Sequence, residues 1–326
     1  MLDEIKAFLG QDWTDTERLI RSSLGSDIDL LNTTNAAILS HGGKQVRPMF
    51  SLLVARACNG GRTTEDSIRF AAAAELLHNA TLLHDDVADS SSERRGVPTV
   101  MSLLGGPASV LIGDFWLVKA MDNILASPFH SEEVTRIFSK TLSDLAEGEM
   151  LQLQKAACGD TDEEDYFRII YSKTASLFEA SGVSAAISVE AGEAMREAVR
   201  EYSIDLGIAF QIKDDMFDYS GGALIGKPVG IDLEEQKITI PLLGAMKAAG
   251  PEEASLMRRK VMDIHSNPVY KDEIRAFVLD GGGLEYAASR LDEYVDKAVR
   301  ALDTLPESKE KDYLAAIAAF TAMRDR

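Results

Sequence analysis

The chain has 326 residues, of which 45% are hydrophobic and 27% charged, and its formal net charge is −19. This composition is typical of a globular protein, and the acidic balance argues against nucleic acid or an anionic membrane as the main partner. Polar residues interrupt each apolar stretch before the ~20 residues of a membrane span, and Met1 to Gly10 lacks a signal-peptide core, so we expect a cytoplasmic protein without an integral membrane segment.

Apolar residues recur at a spacing of three to four along most of the chain, and no convincing alternating strand occurs, so the sequence predicts an all-α fold. Capping signals mark where several helices begin or end. The predicted boundaries are an end near His41, starts at Thr64, Pro107 and Ser131, a helix from a Thr161–Glu164 capping box to Gly182, a helix over 193–219, and starts near Pro251, Asp272, Leu284 and Ser308. No linker divides the chain, so we expect one domain over residues 1–326.

Two aspartate clusters of the same form close two of these helices. The first is Asp85-Asp86-Val87-Ala88-Asp89 and the second is Asp214-Asp215-Met216-Phe217-Asp218. Residues four apart share a helix face, so the outer aspartates of each cluster repel each other unless a cation lies between them. Apolar residues before each cluster predict buried helices, where unpaired carboxylates are costly. Mg²⁺ binds through a few carboxylates together with substrate phosphates, so the simplest interpretation is two carboxylate claws facing one diphosphate.

Basic residues stand out individually in so acidic a chain. Each alone is more often a surface charge than a ligand, but together with the two clusters they predict phosphate binding on both sides of a metal centre. They are Lys44 and Arg47 before Pro48, Arg94 and Arg95 after the first cluster, Lys173 beside Thr174 in an apolar helix, and Lys227 and Lys237. The turn with Lys44 and Arg47 is also typical of a helix that ends in a glycine cap and is stopped by Pro48.

The segment from Ser220 to Gln236, directly after the second cluster, is rich in glycine and contains Lys227. Glycine gives mobility and close backbone approach, and lysine supplies a point charge for phosphate. We therefore interpret this segment as a lid over an anionic ligand rather than as a plain flexible connector.

These motifs together resemble the trans-isoprenyl diphosphate synthases, the head-to-tail polyprenyl synthetases, from about Gly42 to Leu243. The matching segments are Gly42-Gly43-Lys44 with Arg47-Pro48, Leu82 to Gly96, Gly148-Glu149 with Gln152, Lys173-Thr174, Phe210 to Asp218, Gly226-Lys227, and Lys237-Ile238-Thr239 with Pro241. The resemblance implies a single-domain helical bundle around a deep central cavity, usually paired into a homodimer. Two positions depart from the family pattern: Gln45, where a basic residue is common, and Gln236, where glycine is common.

The resemblance also implies a role for each matching residue. Asp85, Asp89 and Asp214 would ligate Mg²⁺ on an allylic diphosphate, supported by Asp86, Asp215 and Asp218. Arg94, Lys173, Lys227 and Lys237 would hold that diphosphate, and Lys44, Arg47, His78 and Arg95 would hold isopentenyl diphosphate. Gln211 and Thr174 would line the reacting centre. The implied catalytic residues are Asp85, Asp86, Asp89, Lys173, Gln211 and Asp214.

The implied activity is condensation of isopentenyl diphosphate with an allylic diphosphate primer to give a trans-polyprenyl diphosphate. A terpene cyclase needs no second diphosphate site, so Lys44 and Arg47 argue against it. A regulatory subunit of a heteromeric prenyl synthase tends to lose cluster residues, and both clusters are complete here. A helical interaction protein would not explain the ordered basic residues. A farnesyl or geranylgeranyl diphosphate synthase stays open as a shorter-chain alternative.

The resemblance implies that the growing chain runs along the helix of the first cluster, past the residues that precede Asp85. Most of these residues are small. Family members with short products commonly carry an aromatic residue four or five positions before the first aspartate, or two extra residues inside the first cluster, and this sequence has neither. The residues along this path are Thr81, Ala80, Leu77, Ala74 and Ala73. The helical rise puts Phe70 roughly 22 Å below Asp85, which leaves depth for several isoprene units. We expect a medium-to-long product, with Trp116 and Ile112 on a possible opposing helix as residues that would lower the limit.

Ala80→Phe is expected to block the path of the growing chain and to shift the product to a shorter length while primer binding is largely retained. Chromatography of dephosphorylated products measures this shift. An unchanged length distribution would show that the chain does not pass Ala80.

Overall fold

The computed structural model describes residues 1–94, 96–220 and 230–323, and it confirms the all-α prediction. The helices of the first half are α1 Leu2–Leu9, α2 Gln11–Ser23, α3 Asp29–Ser40, α4 Val46–Cys58, α5 Glu65–Ala88, α6 Val100–Leu104, α7 Gly106–Leu125 and α8 Ser131–Cys158. Those of the second half are α9 Glu163–Ile170, α10 Ser176–Ser188, α11 Glu193–Ser220, α12 Ile231–Glu234, α13 Ile240–Ala249, α14 Pro251–Met262, α15 Val269–Asp280, α16 Gly283–Ala301 and α17 Lys309–Met323. None of the described helices is both long and apolar enough to cross a membrane.

Most predicted helix starts are confirmed within a few residues. The Thr64 hydroxyl accepts from the Ser67 N–H at the start of α5, and the Ser67 hydroxyl accepts from the Thr64 N–H in return. Pro107 lies in the first turn of α7, and Ser131 opens α8. A side-chain acceptor or a missing N–H at these places suits the unpaired amide groups at a helix N-terminus.

Three local predictions are wrong. The capping box of α9 pairs Asp162 with Asp165, one residue beyond Thr161 and Glu164, because the carboxylates of the aspartates accept from each other's N–H. Gly182 does not end a helix, since α10 continues buried on both sides of it. Burial overrides the cost of an interior glycine, about 1 kcal/mol. Pro48 starts rather than stops a helix, since it lies in the first turn of α4.

Other elements gave no usable signal in the sequence. Helices α6 and α12 and the hairpin of β1 (Glu93–Arg94) with β2 (Val97–Pro98) are too short to show a period. Helix α13 is apolar on nearly every face and mostly buried, so it has no polar side to mark its period.

The chain divides into two compact units, which we describe separately. Of the described residues, the first unit takes those in Met1–Ser139, Ala180–Val199 and Thr304–Leu314. The second takes those in Lys140–Glu179, Arg200–Asp303 and 315–323. A single domain over the whole chain therefore stays a prediction.

Helix α5 is the centre of the first unit, and α2, α4 and α7 pack against it. Its residues 71–74 are all alanine and fully buried, which permits close helix packing. A Cβ on Gly113 of α7 would lie 3.2 Å from the Ala80 carbonyl oxygen, so glycine allows α7 to approach α5. The Ser109 hydroxyl donates to the Leu83 carbonyl at 2.8 Å and fixes α7 beside the end of α5 that carries the first cluster.

Trp116 and Ile112 lie on α7, and both are buried, so the expectation that they belong to a helix opposite α5 is confirmed. The Trp116 indole donates to Asn35 Oδ1 on α3 at 2.8 Å. Asn35 in turn donates to the Leu24 carbonyl at 3.0 Å. A buried indole needs such an acceptor, so the Trp116–Asn35 bond fixes the middle of α7 against α3.

The second unit has its own apolar core, formed largely by residues of α9, α11 and α13 to α16. Helix α13 packs against α14, α15 and α16. A Cβ on Gly244 would lie 2.6 Å from the Cβ of Tyr286, so glycine makes room for this ring. The Tyr286 hydroxyl donates to both carboxylate oxygens of Glu163, at 2.9 and 2.8 Å, and thereby fixes the first turn of α9.

Candidate active site

The first aspartate cluster lies at the C-terminal end of α5. The helix ends at Ala88, but the Asp89 N–H still donates to the Asp85 carbonyl at 2.8 Å, so the two residues keep helical spacing. Asp85 is half-buried and Asp89 is exposed. Asp86 projects to another side of the helix, where it is only 4% exposed. The cluster therefore divides into outer aspartates that reach solvent and a central aspartate that faces the protein.

Arg94 balances the charge of buried Asp86. Its Nε donates to Asp86 Oδ1 at 2.8 Å, and its backbone lies in β1, paired with Val97. The resemblance implied that Arg94 holds a diphosphate. The ion pair with Asp86 fixes the position of the guanidinium that would make this contact. The bond to Asp86 engages one of the five N–H donors of the guanidinium. Arg95, the next residue, lies outside the described part of the chain.

The second cluster, at the end of α11, repeats this division in its first two aspartates. Asp214 is half-buried, whereas Asp215 is 4% exposed. Asp215 accepts from the Tyr166 hydroxyl at 2.7 Å and from Gln211 Nε2 at 2.8 Å. Gln211 Oε1 accepts from the Thr174 hydroxyl at 2.7 Å. A continuous set of hydrogen bonds thus runs from α9 through α11 to Thr174.

Burial determines the titration of this network. It raises the pKa of Asp215, and the hydrogen bonds from Gln211 and Tyr166 oppose that increase. It also raises the pKa of Tyr166, and the negative charge of Asp215 adds to the shift. Tyr166 therefore stays protonated and remains a donor to the carboxylate. Tyr166 could not be predicted from the sequence, because nothing in the linear pattern connects it with Asp215, which lies far along the chain.

Asp218 caps a helix rather than projecting alone. Its carboxylate accepts from the N–H groups of Ile231 at 2.9 Å and Asp232 at 3.1 Å, which form the start of α12. Burial raises the pKa of Asp218, whereas these backbone bonds lower it. An acidic side chain at a helix N-terminus satisfies amides that have no partner within the helix. The third aspartate of the cluster thus supports the segment that leads to Lys237.

That segment is anchored at its other end by Gln236. This residue has a left-handed backbone, with φ of 57°. Its side-chain amide donates to the Met262 carbonyl at 2.7 Å and to the Val261 carbonyl at 3.4 Å, at the end of α14. These bonds account for glutamine where the family pattern has glycine, since they stabilise a conformation that disfavours most side chains. Lys237 follows, half-buried and paired with Glu235.

Lys173 and Thr174 lie in a π-helical turn, Tyr171–Ala175, between α9 and α10. The Lys173 ammonium is 2.6 Å from Glu149 Oε2 and donates to Gln152 Oε1 at 3.0 Å, both on α8. Turns of this kind occur often at functional sites. The sequence predicted both residues but gave no indication of the π-turn.

Within the second unit, several predicted residues surround one cavity of about 140 Å³. The predicted residues that line it are Lys173, Gln211, Asp215 and Lys237, and Tyr166 and Asp232 join them. Lys227 and Gly226, and with them the central part of the predicted lid, lie outside the described residues.

The remaining predicted residues belong to the first unit. Lys44 is exposed just before α4, and Arg47 is half-buried in the first turn of that helix. His78 is half-buried on α5, against which α4 packs. Gln45, between Lys44 and α4, has a left-handed backbone with φ of 52°, so the turn is sharply bent where the family pattern has a basic residue.

No group of three His, Cys, Asp or Glu side chains in the described ranges converges into a preformed metal site. Mg²⁺ keeps several waters and takes substrate phosphates, so an all-protein cage is not required.

The chain matches a known protein family. Residues 28–276 match the model of the family described as polyprenyl synthetase. The chain is 38% identical over 326 residues to octaprenyl diphosphate synthase of Escherichia coli strain K12, covering 100% of this chain and 99% of that one.

Two solved structures are also similar. A decaprenyl diphosphate synthase from Rhodobacter capsulatus has a TM-score of 0.92 at 33% identity, with 100% of both chains covered. A polyprenyl synthase from Caulobacter crescentus CB15, complexed with calcium and isoprenyl diphosphate, has a TM-score of 0.90 at 33% identity, with 100% of this chain and 98% of that one covered.

Gln236→Ala is expected to lower the free energy of unfolding by about 1–3 kcal/mol, because it removes the bonds to α14 and keeps the left-handed backbone. Gln236→Gly loses the same bonds but adopts that backbone without strain, so its loss should be smaller by about 1 kcal/mol. Urea unfolding measures both. Gln154→Ala, at an exposed position of α8, is the control and should change stability by less than about 0.5 kcal/mol. Equal stability of the alanine and glycine variants would contradict the account of Gln236.

Proposed function

Because this chain belongs to the polyprenyl synthetase family, we propose that it is a trans-polyprenyl diphosphate synthase with a medium-to-long product. Membership makes it a prenyltransferase, which condenses isopentenyl diphosphate head-to-tail with an allylic diphosphate and releases diphosphate. The observation that carries the site assignment is the shared structure of the two clusters. In each, the first aspartate is half-buried at a helix end and the second is buried against protein donors.

The donor set fits Mg²⁺. The family is generally dependent on a divalent metal, and the outer aspartates offer hard carboxylate oxygens. We propose Asp85, Asp89 and Asp214 as its ligands, with Asp86, Asp215 and Asp218 in support. The hydrogen bonds of the supporting residues agree with this division, since each holds a protein group near its cluster. When bound, Mg²⁺ supplies positive charge where the departing diphosphate becomes negative.

The side chains of this chain supply the remaining interactions. Arg94, Lys173, Lys227 and Lys237 bind the allylic diphosphate, and their charges favour its departure. The allylic carbocation that remains is attacked by the double bond of isopentenyl diphosphate, held by Lys44, Arg47, His78 and Arg95. Thr174 and Gln211 line the reacting centre in an orientation that their mutual bond fixes. Proton loss to the released diphosphate completes the reaction.

A medium-to-long product is favoured over a farnesyl or geranylgeranyl product. Ala73, Ala74, Leu77 and Ala80 are all buried within the first unit, so the small side chains on α5 face the interior and not solvent. The Escherichia coli relative is named for an octaprenyl product and the Rhodobacter capsulatus structure for a decaprenyl product. Membership of the polyprenyl synthetase family disfavours a terpene cyclase.

We further propose a homodimer that forms through α7. Leu111, Val118 and Leu125 are 68, 54 and 60% exposed and lie seven residues apart, so they share one helix face. Phe129, just beyond the helix, is 84% exposed. This strip of exposed large apolar side chains along one helix face favours an interaction site there. The cytoplasmic location expected from the sequence stays a prediction.

The function is tested by incubating the purified protein with Mg²⁺, isopentenyl diphosphate and allylic primers of several lengths. Chromatography of the dephosphorylated products should show chains extended by many isoprene units. Products that stop at farnesyl or geranylgeranyl length would establish the shorter-chain alternative. Hydrocarbon formed from an allylic diphosphate alone would instead indicate a cyclase.

Asp85→Ala and Asp214→Ala should each lower kcat by about 10²–10³-fold, because each removes a ligand that stabilises developing charge. Circular dichroism should show an intact fold. Asp296→Ala, at an exposed position of α16, is the control and should retain activity. Full activity of Asp85→Ala would contradict its assignment as a metal ligand.

Leu111→Glu combined with Val118→Glu should convert the dimer to a monomer, because charge on the exposed strip of α7 opposes its burial. Sedimentation velocity measures the change. Leu256→Glu, which places charge at a partly exposed position of α14, should leave the dimer intact. A wild-type protein that sediments as a monomer would refute the proposed interface.

A further inference from the structure

The π-turn that carries Lys173 and Thr174 interrupts an otherwise continuous helical path from α9 to α10. The Ser176 N–H donates to the Tyr171 carbonyl, five residues back, instead of four. The Ser176 hydroxyl donates to the Ser172 carbonyl at 2.7 Å. A π-turn is wider than an α-turn and is rare unless its surroundings stabilise it. Its surroundings in the second unit contain two glycines that match it closely.

The first is Gly148 on α8. A Cβ built at this position would lie 2.5 Å from the Cβ of Ser172 and 3.3 Å from Cγ of Lys173. The shorter distance is far below van der Waals contact between carbons. Any residue other than glycine would therefore push α8 and the π-turn apart.

The second is Gly207 on α11. A Cβ here would lie 2.5 Å from the Cα of Ala175 and 3.3 Å from its backbone nitrogen. The obstacle is backbone, so no side-chain rotation of Ala175 relieves it. Two different helices thus contact the π-turn directly through positions that have no side chain.

Each glycine is followed, one helical turn later, by a glutamine that binds a polar side chain of the π-turn. Gly148 precedes Gln152, whose Oε1 accepts from the Lys173 ammonium at 3.0 Å. Gly207 precedes Gln211, whose Oε1 accepts from the Thr174 hydroxyl at 2.7 Å. Residues four apart share a helix face, so the close approach at each glycine brings its glutamine within reach.

We propose that Gly148 and Gly207 are positioning residues, which set the orientation of Lys173 and Thr174 by letting α8 and α11 contact the backbone of the π-turn. This inference rests on the proposed function, in which Lys173 binds the allylic diphosphate and Thr174 lines the reacting centre. The glycines touch neither substrate. They act through the turn and through the two glutamines.

Gly148→Ala and Gly207→Ala should each lower kcat for condensation by about a hundredfold, the scale of an ångström of misplacement. The Michaelis constant for isopentenyl diphosphate should change little, because its proposed ligands Lys44, Arg47 and His78 lie on other elements. Gly244→Ala is the matched control. It creates a clash of similar size with Tyr286, so its melting temperature should fall as in the other variants, but its kcat should be retained.

A compensating change tests the contact itself. Ser172→Gly removes the Cβ that Gly148→Ala would meet, so the double variant should recover most of the lost kcat. The contact left after this change, 3.3 Å to Lys173 Cγ, requires only a small adjustment of a flexible side chain. A double variant as slow as Gly148→Ala alone would overturn the proposed steric role.

Hydrogen–deuterium exchange gives a measurement that does not depend on activity. Peptides that cover 171–176 should exchange faster in Gly148→Ala and Gly207→Ala than in the wild type and in Gly244→Ala. Unchanged exchange would overturn the inference even in an active enzyme. If the wild type transfers no prenyl group, the proposed function fails, while the exchange result still decides whether the glycines hold the π-turn.

Discussion

The structure depends on the cost of placing several carboxylates at the end of a buried helix. A carboxylate in apolar surroundings must be neutralised or hydrogen-bonded, and two of them on one helix face also repel each other. Each cluster meets this constraint by dividing its aspartates according to direction. Consecutive helix positions point about 100° apart, so adjacent aspartates face different surroundings. Asp86 and Asp215 face the protein, while Asp85 and Asp214 remain half-buried.

The inward-facing aspartates organise the groups around them. Asp86 holds Arg94 in place across the turn that follows α5. Asp215 connects Tyr166 with Gln211 and, through Gln211, with Thr174. Asp218 starts α12 and thereby places the segment before Lys237. Asp86, Asp215 and Asp218 therefore determine where the cationic and polar groups around them lie.

The sequence predicted those features whose cause is local. The clusters, the cap at Thr64 and the starts at Pro107 and Ser131 depend on residues close together in the chain. Features with a distant cause were missed. Tyr166 acts through its hydrogen bond to Asp215, and Gln236 through its hydrogen bond to the end of α14. The π-turn depends on two glycines of other helices, and a pattern of apolar residues contains no record of such contacts.

The central proposal is that Asp85, Asp89 and Asp214 bind Mg²⁺ together with a diphosphate. Calorimetric titration of Mg²⁺ in the presence of an unreactive allylic thiolodiphosphate tests it most directly. Mg²⁺ should bind strongly with the analogue and weakly without it. A site with so few protein ligands needs the phosphate oxygens to complete the coordination of the ion. Asp85→Asn and Asp214→Asn should each weaken this binding, while Asp296→Asn should not. Unchanged Mg²⁺ binding in either cluster variant would contradict the account.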